Sequence, residues 1–221
     1  TKNLPGATFE VQDENGDVVR TVYNETLRWT TTADALVKTI TGLKDGSYQL
    51  VETKAPTGYT IADPISFTVE KGKIYRSVDG EQAEIDTIAM EDQATEVIIS
   101  KTDITTGKEL PGATLQILDE KGEIAKTVYG EQLSWISDVT AKVIKGLPAG
   151  TYTLRETAAP DGYALSEDVT FTVNTDGTTT KVVMKDDVTR VQISKMDVTN
   201  NKELAGAHLA LKDASGEMIL N

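Results

Sequence analysis

Thr151-Tyr-Thr-Leu-Arg-Glu-Thr-Ala-Ala-Pro-Asp-Gly-Tyr163 is the second copy of a pattern first met as Ser47-Tyr-Gln-Leu-Val-Glu-Thr-Lys-Ala-Pro-Thr-Gly-Tyr59. Each copy reads as a short strand running into a turn that Pro and Gly open. Side chains of a strand alternate between its two faces, so Glu156 lies with Tyr152 and Leu154, and Glu52 with Tyr48 and Leu50. That face is apolar. A carboxylate sent alone into an apolar core costs several kcal/mol unless it is neutralised or paired. Each glutamate therefore needs a partner elsewhere in the chain.

Working outward, the repeat extends well beyond this motif. Leu4-Pro5-Gly6-Ala7-Thr8 returns at Leu110–Thr114 and again as Leu204-Ala205-Gly206-Ala207. Trp29 matches Trp135, and Gly42-Leu43 matches Gly146-Leu147. Ile88-Ala-Met-Glu-Asp92 matches Val182-Val-Met-Lys-Asp186, and Val97-Ile-Ile-Ser-Lys-Thr-Asp103 matches Val191-Gln-Ile-Ser-Lys-Met-Asp197. A unit runs from the Ile-Ser-Lys strand to the Met-x-Asp strand. The expected organisation is a first unit over 1–93 without its Lys strand, a complete unit over 94–188, and the beginning of a third over 189–221. Linkers are so short that successive units are expected to stack end to end, as in other linear arrays. Short alternating runs between Gly, Pro, Asn and Asp turns give an all-β chain, a sandwich or a barrel. Residues 32–39 carry a mild helical pattern. The first unit is ten residues longer between its Glu and its Asp (52 to 92 against 156 to 186), which predicts a longer hairpin around Glu70–Ile85.

Composition narrows the function. A net charge of -13 argues against nucleic acid and against an anionic membrane surface. The absence of cysteine removes disulfides, thiol catalysis and thiolate metal sites. No run of 18 apolar residues exists, so no membrane insertion is expected in this segment. Thr1 is not a natural start, and the chain reads as a piece of something longer. Asp13-x-Asn-x-Asp17 lacks the full ligand series of a calcium loop and reads as a hairpin turn. His208 is the lone histidine, too little for triad or zinc hydrolysis. Trp29 and Trp135 read as packing residues. No cofactor or metal is expected.

The parity test applied to the outer strands finds the partners. Val97, Ile99 and Lys101 share one face, and Val182, Met184 and Asp186 share one face. Val191, Ile193 and Lys195 repeat the first set, and Ile88, Met90 and Asp92 the second. Three readings of Lys101, Glu156 and Asp186 stand: charges fraying at strand ends, a buried ion triad, or a reactive cluster. In the third, desolvation penalises the charged forms of amine and acid alike. A neutral amine then faces a neutral carboxylic acid, the glutamate moves the proton, and loss of water leaves an amide.

Ile99-Ser-Lys-Thr-Asp, Lys108-Glu-Leu-Pro-Gly-Ala, Trp135-Ile-Ser-Asp, the Tyr152–Tyr163 motif and Val183-Met-Lys-Asp186 together resemble the collagen-adhesin B-type (Cna-B, or SpaA-like) domain of Gram-positive surface adhesins and pilins. The resemblance implies tandem Ig-like, transthyretin-like β-sandwiches. It implies that Lys101 is the nucleophile, Asp186 the electrophile and Glu156 the proton shuttle of an intramolecular isopeptide bond. In the first unit Glu52 and Asp92 match, but no lysine does, since Lys2 aligns with Lys108. In the third, Lys195 matches without carboxylate partners.

The expected function is a structural stalk segment of a cell-wall-anchored, extracellular adhesin or pilin, not a turnover enzyme. Its partners would be neighbouring repeats, with host extracellular matrix or glycans reached through other domains. A host-ligand-binding module is the alternative. A third reading joins Lys195 of one chain to Asp92 of another with help from Glu52. It leaves the Gly-Ala strand of one copy redundant, and the incomplete units read more simply as the result of excision.

Overall fold

A computed structural model of the chain describes residues 4–78 and 80–220, and among these no helix occurs. The expectation about Lys2 lies outside the described residues. One compact unit runs to Asp187 and a second begins at Val188.

The first compact unit opens with β1 (Thr8–Gln12), β2 (Arg28–Thr30), β3 (Gly46–Lys54), β4 (Ile65–Glu70), β5 (Lys73–Val78) and β6 (Glu81–Ile85). They form one sheet in the order β2-β1-β3-β4-β5-β6. The added hairpin is β5–β6, where the longer Glu-to-Asp spacing placed it. Residues 32–39 are not helical. They make a tight turn in which Thr32 and Ala35 exchange backbone hydrogen bonds at 3.1 Å. The β-branched Thr32, Val37 and Thr39 within the stretch weaken the helical pattern.

The same compact unit continues with β7 (Glu96–Asp103), β8 (Thr114–Leu118), β9 (Ser134–Ile136), β10 (Lys142–Lys145), β11 (Gly150–Ala158), β12 (Val169–Val173) and β13 (Thr180–Asp186). These make two facing sheets, β10-β7-β13 and β12-β11-β8-β9. Val97, Ile99, Ile144, Val182 and Met184 from the first pack against Leu115, Ile117, Leu154, Phe171 and Val173 from the second. Burying each such side chain stabilises the fold by about 1.5–3 kcal/mol. Of the sandwich and the barrel that the alternation allows, this is the sandwich, as the resemblance implies.

The corresponding core of the first repeat is thinner. Val11, Leu27, Leu50, Phe67 and Val69 are buried, but Ile40, Leu43, Ile88 and Met90 are only partly covered. The expected strand over Ile88–Asp92 keeps its parity, with Ile88, Met90 and Asp92 inward of their exposed neighbours, yet it makes no ladder. Its counterpart β13 pairs with β7, and no described residue supplies such a strand to the first repeat.

The two repeats meet through the Pro-x-Gly-Tyr turn. Tyr59 N–H closes the turn on the Pro56 carbonyl at 3.1 Å, with Gly58 at φ +78°. The Gly58 carbonyl accepts from Thr95 N–H at 3.0 Å, and Thr95 Oγ1 donates to the Leu147 carbonyl at 2.6 Å. Ile61 N–H reaches the Thr175 carbonyl at 2.8 Å. A Cβ on Gly58 would lie 2.6 Å from Val128 and 2.9 Å from the Gly146 carbonyl.

The second compact unit holds only β14 (Leu211–Lys212) and β15 (Met218–Leu220), joined by a turn that Asp213 caps. Val191 and Ile193 are 78% and 56% exposed and form no strand. The expectation of a core-facing strand there fails for a physical reason. The matching strand β7 is held between β10 and β13, and residues 188–220 contain no counterpart of either.

Candidate crosslinking site

Lys101 on β7, Glu156 on β11 and Asp186 on β13 come together inside the second repeat, 1%, 3% and 1% exposed. Strand-end fraying is thereby ruled out for all three. β7 and β13 are parallel neighbours, with Met184 opposite Lys101. Two positions further along, Asp186 falls on the same face, within reach of the lysine stem. Lys101 Nζ contacts Asp186 Oδ1 and lies 3.0 Å from Glu156 Oε1. The approach to Oε1 is an ion-pair distance without hydrogen-bond alignment, and the buried Asp186 Oδ2 also lacks a hydrogen-bond partner.

The Glu-Thr of the motif has a local role. The β11–β8 register slips between Glu156 and Ala158, and Thr157 Oγ1 donates to the Thr114 carbonyl at 3.3 Å. The slip recurs in the first repeat, where Thr53 Oγ1 donates to the Thr8 carbonyl at 3.3 Å. Bulges of this kind re-aim an adjacent side chain. Beyond the bulge, the Pro-x-Gly-Tyr turn brings the chain back so that Ser166 N–H donates to Glu156 Oε2 at 2.7 Å. That leaves Oε1 turned towards the amine.

The first repeat builds the same frame around Glu52, which is 3% exposed. Ala62 N–H donates to Glu52 Oε2 at 2.9 Å. Burial pushes the Glu52 carboxyl up to about 7; the Ala62 N–H opposes this, and the adjacent Asp92 carboxylate and its hydrogen bond add to it. Burial also raises Asp92, against the hydrogen bond from Glu52. Two carboxyls thus face each other with no lysine among the described residues. In the second compact unit Lys195 is exposed. Its carbonyl accepts Leu204 N–H at 2.7 Å, as that of Lys101 accepts Leu110 N–H. The local turn is reproduced there, and the carboxylate site is not.

A family model described as SpaA, prealbumin-like fold domain, matches residues 1–83 and again 95–188. The chain belongs to this family. No curated protein matches it. Among solved structures, the Bacillus anthracis TIE protein is 26% identical over 99% of this chain, with a TM-score of 0.46. This chain spans 38% of that protein's length. The major pilin subunit BcpA of Bacillus cereus is 15% identical over 83% of this chain and 95% of its own, with a TM-score of 0.38. The shaft pilin SpaA of Lactobacillus rhamnosus GG is 16% identical over 86% of this chain and 90% of its own, with a TM-score of 0.38.

Within the second SpaA-family repeat, the parity argument missed one residue that touches the cluster. Ser166 Oγ lies 3.2 Å from Lys101 Nζ, contacts Asp186 Oδ1, and donates at 2.6 Å to the Lys185 carbonyl. It sits in the loop between β11 and β12, where alternation carries no information. The available signal was the repeat itself. Ser166 follows Glu156 by ten positions, and Ala62 follows Glu52 by ten, so the hydroxyl accompanies the lysine-containing SpaA repeat.

Proposed function

We propose that this chain is a load-bearing segment of a Gram-positive surface adhesin or pilin, with its second repeat closed by an isopeptide bond between Lys101 and Asp186. Glu156 takes the proton from the attacking amine and returns it to the departing hydroxyl, so that one water leaves. The bond forms once, in the second repeat, and the chain is no turnover enzyme. The observation that carries the reading is the dry Lys101–Glu156–Asp186 cluster bridging β7 and β13, the first and last strands of the repeat. An ion triad left unreacted pays desolvation for every charge, and amide formation removes those of Lys101 and Asp186.

The topology supports the mechanical role. β7 and β13 are parallel and adjacent, so pulling on the two ends of the repeat shears one strand along the other. A covalent link at Lys101–Asp186 carries that force directly and shields the 85 residue steps between them. Its site of action is the cell exterior, attached to the wall, in series with further repeats or pilus subunits. Stretching the chain by its ends in a single-molecule instrument tests this. The linked chain withholds roughly 290 Å of extension, at about 3.4 Å per residue, which Asp186→Ala releases. Equal extension in both chains would rule the covalent load path out.

One feature favours a second reading, host-ligand binding. In the first repeat a cleft of about 500 Å³ lies between Tyr48 and Gln49 of β3 and Tyr75, Arg76 and Gln82 of the β5–β6 hairpin. Saturable binding of matrix proteins or glycans that is lost on deleting 71–85 would support it.

A further inference from the structure

We propose that Ser166 is a fourth catalytic residue of the second repeat, its hydroxyl stabilising the oxyanion that develops on Asp186 Oδ1 as Lys101 attacks. The inference rests on the crosslinking reading above and adds a role to it.

Three contacts of one oxygen carry the argument. Ser166 Oγ accepts from Lys101 Nζ at 3.2 Å, touches Asp186 Oδ1, and has the Lys185 carbonyl at 2.6 Å. A serine hydroxyl has a single proton and two lone pairs, and it rotates to suit its neighbours. It cannot donate to the Lys185 carbonyl and to Asp186 Oδ1 at once. In the resting site the Lys185 carbonyl and Asp186 Oδ1 compete for that proton. When the amine nitrogen bonds to the Asp186 carboxyl carbon, the C=O electron pair moves onto Oδ1, and that oxygen becomes the stronger acceptor. A rotation of the hydroxyl brings the proton to it. The C–OH bond to the other oxygen then breaks, Glu156 delivers to that hydroxyl the proton it took from nitrogen, and water leaves. Ser166 ends unchanged, hydrogen-bonded to the oxygen of the new amide.

The same residue also serves through its backbone, since its N–H fixes Glu156 Oε2 at 2.7 Å. The two roles separate cleanly because the first repeat keeps one without the other. Ala62 N–H holds Glu52 Oε2 at 2.9 Å and offers no hydroxyl. A substitution at 166 that removes only Oγ should therefore leave the glutamate in place.

The test uses Ser166→Val and Ser166→Thr, nearly identical in shape and differing in the hydroxyl. The full chain is made by cell-free synthesis, quenched in acid at intervals and weighed intact for the loss of one water. Ser166→Val is expected to slow that loss roughly a hundredfold, as removal of one oxyanion donor does elsewhere. Ser166→Thr restores the reaction that Ser166→Val slows. Unfolding midpoints of Lys101→Ala and of Lys101→Ala with Ser166→Val, neither able to crosslink, control for folding. Water loss as fast in Ser166→Val as in the parent overturns the assignment while the crosslink stands. Equal slowing by Thr and Val, or a large drop in the control midpoint, makes the effect structural and also overturns it. A parent chain that never loses water brings down the crosslinking reading, and this inference with it.

Discussion

At the scale of the residue, the second repeat is organised by what a buried charge requires. Lys101 has two carboxylates within contact, and Glu156 is the one whose second oxygen is tied down by a backbone N–H. Glu156→Gln keeps the shape and that hydrogen bond but cannot accept the amine proton. It is expected to slow water loss at least a hundredfold, within the usual range of about 10²–10⁴ for a general base. A time course of intact mass after synthesis checks it, and an unchanged rate would remove Glu156 from the mechanism. Glu52 gives a prediction of the opposite kind, since nothing there discharges the cost. Its folded value, about 7, stands above the ordinary 4.5. Below pH 4.5 both folded and unfolded states carry the proton and no penalty arises. Between about pH 4.5 and 7 the unfolded state sheds this proton while the folded state keeps it, so stability falls as pH rises and levels off above 7. Denaturant unfolding at pH 5 and pH 8, read from Trp29 fluorescence in a Trp135→Phe background, should show the first repeat weaker at the higher pH. Glu52→Gln should flatten the difference, and a first repeat that strengthens with pH would contradict the assignment.

At the scale of the element, strands exist where they have neighbours. β7 lies between β10 and β13, whereas the matching Val191–Lys195 stretch has no such flanks and stays exposed. The converse holds in the first repeat, where Ile88, Met90 and Asp92 point inward beside Glu52 without a ladder partner. A peptide with the sequence Glu96–Asp103 is therefore expected to pair there and to leave a complex one water lighter than its parts. Asp92→Ala should abolish the covalent product, and reversible binding alone in the parent would show that the first repeat lacks the chemistry. These contrasts mark what the sequence could reveal. Period-two alternation placed Lys101, Glu156 and Asp186 on core faces, because burial of a face is a local property of a strand. The hairpin at β5–β6 was legible as added length. Pairing was not, since the sequence Val-x-Ile-x-Lys is the same whether or not its flanking strands are present. The contacts of Ser166 were hidden as well, because a loop side chain is aimed by the path of the chain and not by any period.

At the scale of the whole molecule, the junction between repeats decides whether force passes as through one body. That junction turns on Gly58, whose φ of +78° and closeness to Val128 and the Gly146 carbonyl exclude a side chain. Gly58→Ala should break the Thr95 contacts and lower the unfolding midpoint of the first repeat, at a cost of about 1–3 kcal/mol for backbone strain. It should leave water loss in the second repeat unchanged, because the reacting cluster lies within that repeat alone. Differential unfolding followed at Trp29, beside intact mass, separates the two effects, and a midpoint equal to the parent's would show that the turn does not carry the junction. The central claim concerns a single bond. Intact mass of the purified, denatured chain tests it most directly: the account predicts a mass one water below that of the sequence, with peptide mapping placing the link at Lys101–Asp186, and a mass equal to that of the sequence would contradict it.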